Sequence, residues 1–510
     1  MAPSGALLTA LLCGALTGLA LPRPGLCLLA WISLTPVFAL WRRAASWREA
    51  AFLGLAGGFG YHGLVLYWIY NTCRFAGLSM PLGLLAWAAL TLFLALNWAL
   101  IGAAGWRLTQ GRSEGLRPWA WAALWTAVTF FCERWTPRLG ADLLGYTQWR
   151  YLALLQVGSI VGPHFLGFLV VAANAVMEQS WIESGREVPA PAPVSPAAAN
   201  LALIALLLAA SWGYGVFELA RRDTSSRGPV MRVEALQPAV DQYQKFDAYY
   251  AQRIRENFDQ LLEQARPAAP ALVVWPESSL TDIVAIGHDI PQVADWSRKL
   301  GCPQIVGAVS EEGGKVRNSA FLVSASGTVQ AVYHKRQLVP FGEFQPFPVL
   351  GRFVGILNQL GGLTPGAAVQ PLFETPLGRA AAGICYEAMF PHLARADAAR
   401  GARVVVNVTN DGWYKDTWGP YQHFQANVFR AVEDRVTVLR CANTGISGVI
   451  DPWGVVTARL ALNERGRLDA EVPADDPFPA RSFYARHGDW FAGFCLLAVF
   501  SLIISGGRRP

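Results

Sequence analysis

Long apolar runs dominate the first 220 residues and then stop. Stretches near 5–21, 25–41, 51–70, 80–105, 118–135, 160–181 and 200–219 carry few charges. Each is about 17–26 residues, long enough to cross a ~30 Å hydrocarbon core as a helix. An eighth run lies at 489–505. Spanning segments must satisfy their backbone internally, which restricts them to helices or closed barrels, and runs of this length are helical. The first reading is therefore an α-helical membrane bundle of eight spans. Residues 5–21 lack a basic n-region and no cleavage site follows, so they read as a retained span. The mixed stretch 136–158 reads as an interfacial loop. Composition agrees: 53% of residues are hydrophobic, only 15% are charged, and there are 20 tryptophans. Tryptophan is enriched where lipid meets water.

Arginine placement gives the expected orientation. Arg42, Arg43 and Arg48 fall in one loop, Arg107, Arg112 and Arg117 in another, and Arg508 and Arg509 in the tail. With eight spans these three lie on one side, taken as cytoplasmic, although Arg221 and Arg222 fall opposite. The net charge of +6 does not point to nucleic acid, because no basic run interleaves with aromatics on a polar surface.

The domain expectations follow. Residues 1–220 form the bundle of seven spans, and 182–200, rich in Pro and Ala, is a linker. Residues 221–480 form a polar domain. Residues 481–510 hold the last span and a cytoplasmic tail. In the polar domain, short apolar runs alternate with helical patterns. Strands are expected at 229–236, 271–275, 304–310, 318–325, 329–334, 379–384, 403–408, 437–442 and 445–450, and helices at 249–265, 390–400 and 420–434. Turns are expected at 325–328 and 451–454. The pattern is that of an α/β layered domain.

Eight cysteines show no metal-type spacing and no disulfide framework, and a Cys302–Cys441 pair stays open. Neither a metal site nor a phosphate-binding loop is expected. Cys385 is different from the rest. The run "GRAAAGI" ends at Ile384, and Cys385, Tyr386 and Glu387 open a helical segment. A nucleophile at a sharp strand-to-helix turn is exposed beside backbone N–H groups that can hold an oxyanion. Alone, such a cysteine is more often a small buried hydrophobe. Two other stretches change that balance. "VVWPESSL" (273–280) places Glu277 past a strand end, and "YHKRQLVPFGEF" (333–344) places Lys335 past another, with Glu343 in the loop beyond. The chain has five lysines, so a lysine at such a place is informative. A thiol, an ammonium and a carboxylate suit acyl transfer: Cys385 attacks as thiolate, Lys335 lowers the thiol pKa and steadies the oxyanion, and Glu277 moves the proton. A Cys–His pair using His392 is the rival arrangement. Tyr61, His62 and the Gly57-Gly58 pair read as helix-packing groups, and His423 as a structural histidine.

"PES", "HKRQLVPFGEF" and "GICYEAMFP", in this order, resemble the Glu-Lys-Cys motifs of the nitrilase superfamily. With eight spans, and with "NVTNDGWYKDTWGPYQHFQ" (407–425) and "RCANTGISGVIDPWG" (440–454), the whole chain resembles its membrane-bound branch, the apolipoprotein N-acyltransferases. The resemblance implies a nitrilase-like αββα sandwich on the periplasmic face of a bacterial inner membrane. It implies Glu277 as base, Lys335 as oxyanion stabiliser and Cys385 as nucleophile. It further implies Glu343 supporting the base or Lys335, Tyr386 and Glu387 beside the nucleophile, Asn318 lining the site, and Trp413 on a lid. The loops 341–357 and 413–421 would dip into the membrane interface. The implied substrates are a phospholipid acyl donor and an apolipoprotein acceptor, with no cofactor and a monomeric chain. One departure is visible: the family often has Trp after Lys where this chain has Lys245-Phe246. A membrane-anchored carbon–nitrogen hydrolase and a non-catalytic lipid-binding protein are the competing functions.

Overall fold

Short β-branched runs bounded by turn residues form the strands, as their propensity requires. The computed structural model describes residues 3–135, 140, 142–184, 195–225, 229–245, 247–345, 362–474 and 481–506. Phe246, Arg508, Arg509, residues 185–194 of the linker and residues 346–357 of the expected lid lie outside the described residues. The chain divides into two units: Met1–Leu219 with Thr417–Gln425 and His487–Pro510, and Ala220–Asp416 with Ala426–Arg486.

The second unit is α/β, with thirteen strands among the described residues. One sheet contains β1 (Val230–Gln237), β2 (Leu272–Trp275), β3 (Val284–Ala285), β4 (Gln304–Glu312), β5 (Lys315–Val323) and β6 (Val329–His334). The other contains β7 (Phe373–Thr375), β8 (Gly378–Ile384), β9 (Val404–Thr409), β10 (Thr437–Ala442), β11 (Ser447–Ile450) and β12 (Val456–Leu460), and β13 (Gly466–Pro473) returns to the first. The sheet orders are β13-β1-β2-β4-β5-β6, with β3 on β4, and β12-β11-β10-β9-β8-β7. Strand β1 packs on β10, β5 on β8 and β4 on β9, so the sheets lie face to face. Helix Ala251–Ala265 buries Ile254, Phe258, Leu261 and Leu262, one face at helical spacing. Phe258 stacks on Trp275 with ring centroids 4.6 Å apart, which anchors the end of β2 beside Glu277. All nine expected strands are present. Strands β3, β7, β12 and β13 and helix Pro291–Leu300 were not anticipated. Cys302 and Cys441 are both free thiols, and the Cys441 thiol donates to the carbonyls of Leu236 and Val274, each at 3.2 Å.

The first unit is helical and apolar. Among the described residues three helices are long and apolar enough to cross a membrane: Met80–Thr109, His164–Ser184 and Pro196–Arg222. A fourth follows if Trp47–Val65 and Tyr67–Phe75, bent by 50°, form one span. Eight spans are thus more than length and composition support. The run 25–41 is not a helix of spanning length: it breaks into a 3₁₀ turn, Cys27–Trp31, and a short helix, Thr35–Arg43. Pro22 and Pro24 stand just before it, and Gly25 and Pro36 fall within it. Helix Arg117–Trp135 carries four tryptophans and charged residues at both ends. Ser4–Gly18 and Trp490–Ser505 are shorter apolar helices. The stretch 136–158 contains not only loop but the turns Leu144–Gln148 and Leu152–Leu155.

Small residues let these helices approach. A Cβ on Gly14 would lie 1.9 Å from the Gly57 carbonyl oxygen, and one on Gly58 would meet Ala95 and Trp98 at 2.9 Å. Tyr61 donates to the Asp142 carbonyl at 2.9 Å. The His62 ring contacts the Gly58 carbonyl through Nδ1 and the Asp142 carboxylate through Nε2, at 2.9 and 3.1 Å. Residues 417–425, expected in the α/β region, pack within this unit. Gln422 accepts from the Trp68 indole at 3.2 Å and donates to the Val65 carbonyl at 3.1 Å. His423 is fully buried.

Candidate active site

Cys385 follows β8 directly and has φ = +51°. A left-handed backbone at a non-glycine residue costs about 1–3 kcal/mol and persists only where its surroundings over-determine it. Those surroundings are specific. Parallel pairing sets Ile384 opposite Val408, which brings Thr409 beside Cys385, and the Thr409 hydroxyl hydrogen-bonds to the thiol. Glu387 closes the turn from below. Its carboxylate accepts from the backbone N–H groups of Ile384, Arg336 and Gln337 at 2.7, 2.7 and 3.1 Å, and from the Tyr333 hydroxyl at 2.7 Å. One side chain thus ties the nucleophile turn to the segment that follows Lys335.

Glu277 and Lys335 converge on the same place. Glu277 leaves β2 through a turn in which Ser278 has φ = +48°. Gly307 permits it, because a Cβ there would sit 2.4 Å from the Pro276 carbonyl oxygen. Glu277 Oε1 accepts from Asn318 Nδ2 at 2.6 Å and from Lys335 Nζ at 3.3 Å, while Oε2 accepts from the Asn410 N–H at 2.8 Å. Lys335 Nζ also donates to Glu343 Oε1 at 2.6 Å, and Asn318 Nδ2 reaches that oxygen at 3.1 Å. The Lys335 N–H bonds to the Asn318 carbonyl at 2.8 Å, continuing the β5–β6 ladder, so these two residues are neighbours by register. Lys335 is 1% exposed and Glu277 6%. Burial works against the Lys335 ammonium, but Glu277, Glu343 and Cys385 outweigh it and its pKa is raised.

The thiol behaves differently from expectation. Burial pushes Cys385 up, Glu277 and Asp411 push the same way, and Lys335 and Thr409 only partly oppose them. Burial therefore favours the neutral thiol of Cys385 over a thiolate. Lys335 lowers the thiol pKa as expected, but its charge is already shared by two carboxylates. His392 packs its ring against Phe390, centroids 5.9 Å apart, while Glu277, Lys335 and Asp411 are among the charges that act on Cys385.

Residues 239–477 match the carbon–nitrogen hydrolase family model, and residues 13–176 match the apolipoprotein N-acyltransferase N-terminal domain. The chain is 33% identical to the apolipoprotein N-acyltransferase of Geobacter metallireducens, over 98% of this chain and 95% of that protein. It is 32% identical to that of Sinorhizobium medicae, over 90% of this chain and 86% of that one. This chain belongs to the apolipoprotein N-acyltransferase family. An amidase from Nesterenkonia sp. is a similar solved structure, 22% identical, covering 52% of this chain and 97% of that one with a TM-score of 0.39.

The residues singled out from sequence in this family member do not all gather. Glu277, Lys335, Glu343 and Asn318 form one hydrogen-bonded cluster beside Cys385. Glu387 braces the turn. Tyr386 is buried edge-on against Phe390, centroids 4.8 Å apart. Trp413 lies in a short 3₁₀ turn and is 42% exposed, at the surface and not in the charged cluster.

Four residues beneath the site, Arg440, Asn410, Asn443 and Lys245, were given no role from sequence. Arg440 donates to Asn407 Oδ1 at 2.6 Å and to Asp411 Oδ2 at 2.7 Å. Asn410 Nδ2 donates to Gln242 Oε1 at 2.6 Å and Asn410 Oδ1 accepts from Asn443 at 3.0 Å. The fourth is Lys245, buried, with Nζ donating to the Glu277 carbonyl oxygen at 2.6 Å. Lysine scarcity, which flagged Lys335, applied to Lys245 with equal force. Among the described residues no group of three or more His, Cys, Asp or Glu could hold a metal ion.

Proposed function

We propose that this protein transfers an acyl chain from a phospholipid to the N-terminal amine of an apolipoprotein's diacylglyceryl-cysteine, through a thioester on Cys385. The observation that carries this reading is the strained Cys385 turn beside the Glu277–Lys335–Glu343 cluster in a chain of this family. In the first step the Cys385 sulfur bonds to the ester carbonyl carbon while Glu277 takes the thiol proton. Coupling the two events avoids a free thiolate, which the buried thiol disfavours. Lys335 faces the oxygen on which charge develops. Collapse breaks the ester C–O bond, and Glu277 returns the proton to the departing lysophospholipid oxygen. In the second step the acceptor amine attacks the thioester and Glu277 takes its proton; as the C–S bond breaks, Glu277 returns that proton to the Cys385 sulfur, leaving an amide, the free thiol and the Glu277 carboxylate. Asn318 and the Asn410 N–H hold Glu277 in position through both steps. No cofactor is needed.

The same reading places the protein in a bacterial inner membrane as a multi-pass monomer, with all eight apolar segments embedded and the α/β unit in the periplasm. Arginines in the loops 42–50 and 107–117 support that orientation. The domain limits proposed are 1–220, 221–480 and 481–510, with Tyr386 and Trp413 serving the acyl chain.

The test is acylation of Cys385. Wild-type protein incubated with phospholipid should gain one acyl-sized mass on the peptide that contains Cys385, with Cys385→Ala as the blank. A diacylglyceryl peptide with a free amine should clear it. Clearance as fast by water alone identifies a hydrolase, and no adduct from folded protein overturns the covalent mechanism.

A further inference from the structure

Lys245 is a second buried cation in the candidate site, and the steps derived above do not use it. It stands in the loop after β1, which is held on both sides. Asn443 accepts from the Val240 N–H at 3.0 Å and donates to the Val240 carbonyl at 2.8 Å, and Asn410 grips Gln242. The side chain then runs inward to the Glu277 carbonyl oxygen at 2.6 Å, leaving Lys245 only 4% exposed. An ammonium has three donors and a large desolvation cost, and burial without a carboxylate is expensive. Among the described residues no carboxylate oxygen pairs with Lys245 within 4.0 Å. Its ammonium instead lies in the field of Glu277 and Cys385.

Charge counting shows what it does there. Asp411 is matched by Arg440 at 2.7 Å. The remaining carboxylates are Glu277 and Glu343, and Lys335 bridges both, at 3.3 and 2.6 Å. With Lys335 alone the site carries one negative charge in excess, and sulfur would have to become anionic beside it. With Lys245 the site is neutral, both as found and after a proton has passed from Cys385 to Glu277.

We propose that Lys245 is the counter-charge of the nucleophile, a positioning residue that holds the Glu277 turn through its carbonyl and offsets the anionic sulfur that Lys335, shared by two carboxylates, cannot offset. This rests on the reading of Cys385 as nucleophile. The groups that face the pair are Glu277 after β2, Asn318 on β5, Lys335 and Glu343 after β6, Thr409 at the end of β9, and Asp411 and Tyr414 after it. Burial lowers the Lys245 ammonium to about 8, with Glu277 and Cys385 pulling it back up. The counter-charge is therefore lost as pH rises through that region.

The test is iodoacetamide alkylation of Cys385 in full-length protein in detergent micelles, read by peptide mass spectrometry from pH 6 to 10. Lys245→Gln keeps a donor for the carbonyl but no charge, and Lys245→Arg keeps the charge. The Gln variant should alkylate about tenfold more slowly at pH 8, the effect of about one pKa unit, and the Arg variant within about threefold of wild type. Equal rates for Gln and wild type, or equal slowing in Gln and Arg, overturn the inference. Wild type supplies a readout that needs no folded variant: its log rate against pH should bend downward near pH 8, with a smaller slope above that point than below it, as Lys245 deprotonates. An unbroken slope from pH 6 to 10 overturns it. Alkylation that depends on Lys245, in a protein that forms no acyl adduct, would sink the acyl-transfer reading and leave this inference standing.

Discussion

The helical unit and the α/β unit both bury ionisable side chains, but they arrange them differently. In the helical unit two buried histidines each face one carboxylate: His62 with Asp142 at 3.1 Å and His164 with Glu133 at 3.3 Å. Such closed pairs fix helices to each other and to their loops. In the α/β unit two carboxylates share Lys335, and among the described residues a second lysine, Lys245, bonds only to a carbonyl. A shared cation and an uncommitted one leave room for a proton to move, whereas a closed pair does not. The helical unit has a shared cation as well, Arg42 between Glu114 and Glu178, so the contrast lies between these histidine pairs and the Lys335 cluster, the one proposed to do chemistry.

The contrast breaks most sharply at the carboxylate that moves the proton. Glu277→Gln should slow Cys385 acylation by about 10²–10⁴, while His62→Phe leaves the acylation rate of the folded protein within about twofold. Comparable loss in both, measured by adduct formation, would erase the distinction. Lys335→Met should come next. It leaves Glu277 and Glu343 facing each other without a cation, a loss of about 3–5 kcal/mol in unfolding experiments. Adding Glu277→Gln and Glu343→Gln should restore the melting temperature without restoring acylation. Gly14→Ala should cost about 1–3 kcal/mol by overpacking against the Gly57 carbonyl, and should not alter the pH profile of Cys385 alkylation.

The smallest effect concerns pH and a carboxylate away from the site. Glu234 on β1 pairs with Arg467, yet burial raises its pKa to about 7. The folded state therefore holds this proton between about pH 4.5 and 7 while the unfolded chain has released it. Its contribution is fully present at low pH and is lost as pH rises through 7. Glu234→Gln should flatten that part of the melting-temperature profile, and an unchanged slope would assign it to another group.

Much of this was legible because strand ends carry the chemistry. Glu277, Lys335 and Cys385 each sit within two residues of a run whose β-branched or small apolar character marks it plainly. Strands β12 and β13 alternate with charged residues and did not stand out from loops. Strands β3 and β7 have two and three residues, too few to show a period. Lys245 escaped because it lies in a loop, and its position depends on Asn410 and Asn443 more than 160 residues away. The run 25–41 was misjudged because scarcity of charge marked the runs, and that criterion passes over Gly25 and Pro36. The state of the thiol was beyond the sequence altogether, since it depends on how deeply Cys385 is buried and on how many acids share Lys335.

That neutral, buried thiol has a consequence for survival. Oxidants such as peroxide react with thiolate and scarcely with thiol, and the path from sulfenic to sulfonic acid becomes irreversible within two steps. On the mechanism proposed above, the Cys385 proton leaves only as a carbon–sulfur bond forms, so the thiol presents almost no target between turnovers. On that reading the Cys385 turn keeps its reactivity latent, and an idle molecule resists the damage that a permanently ionised nucleophile would collect.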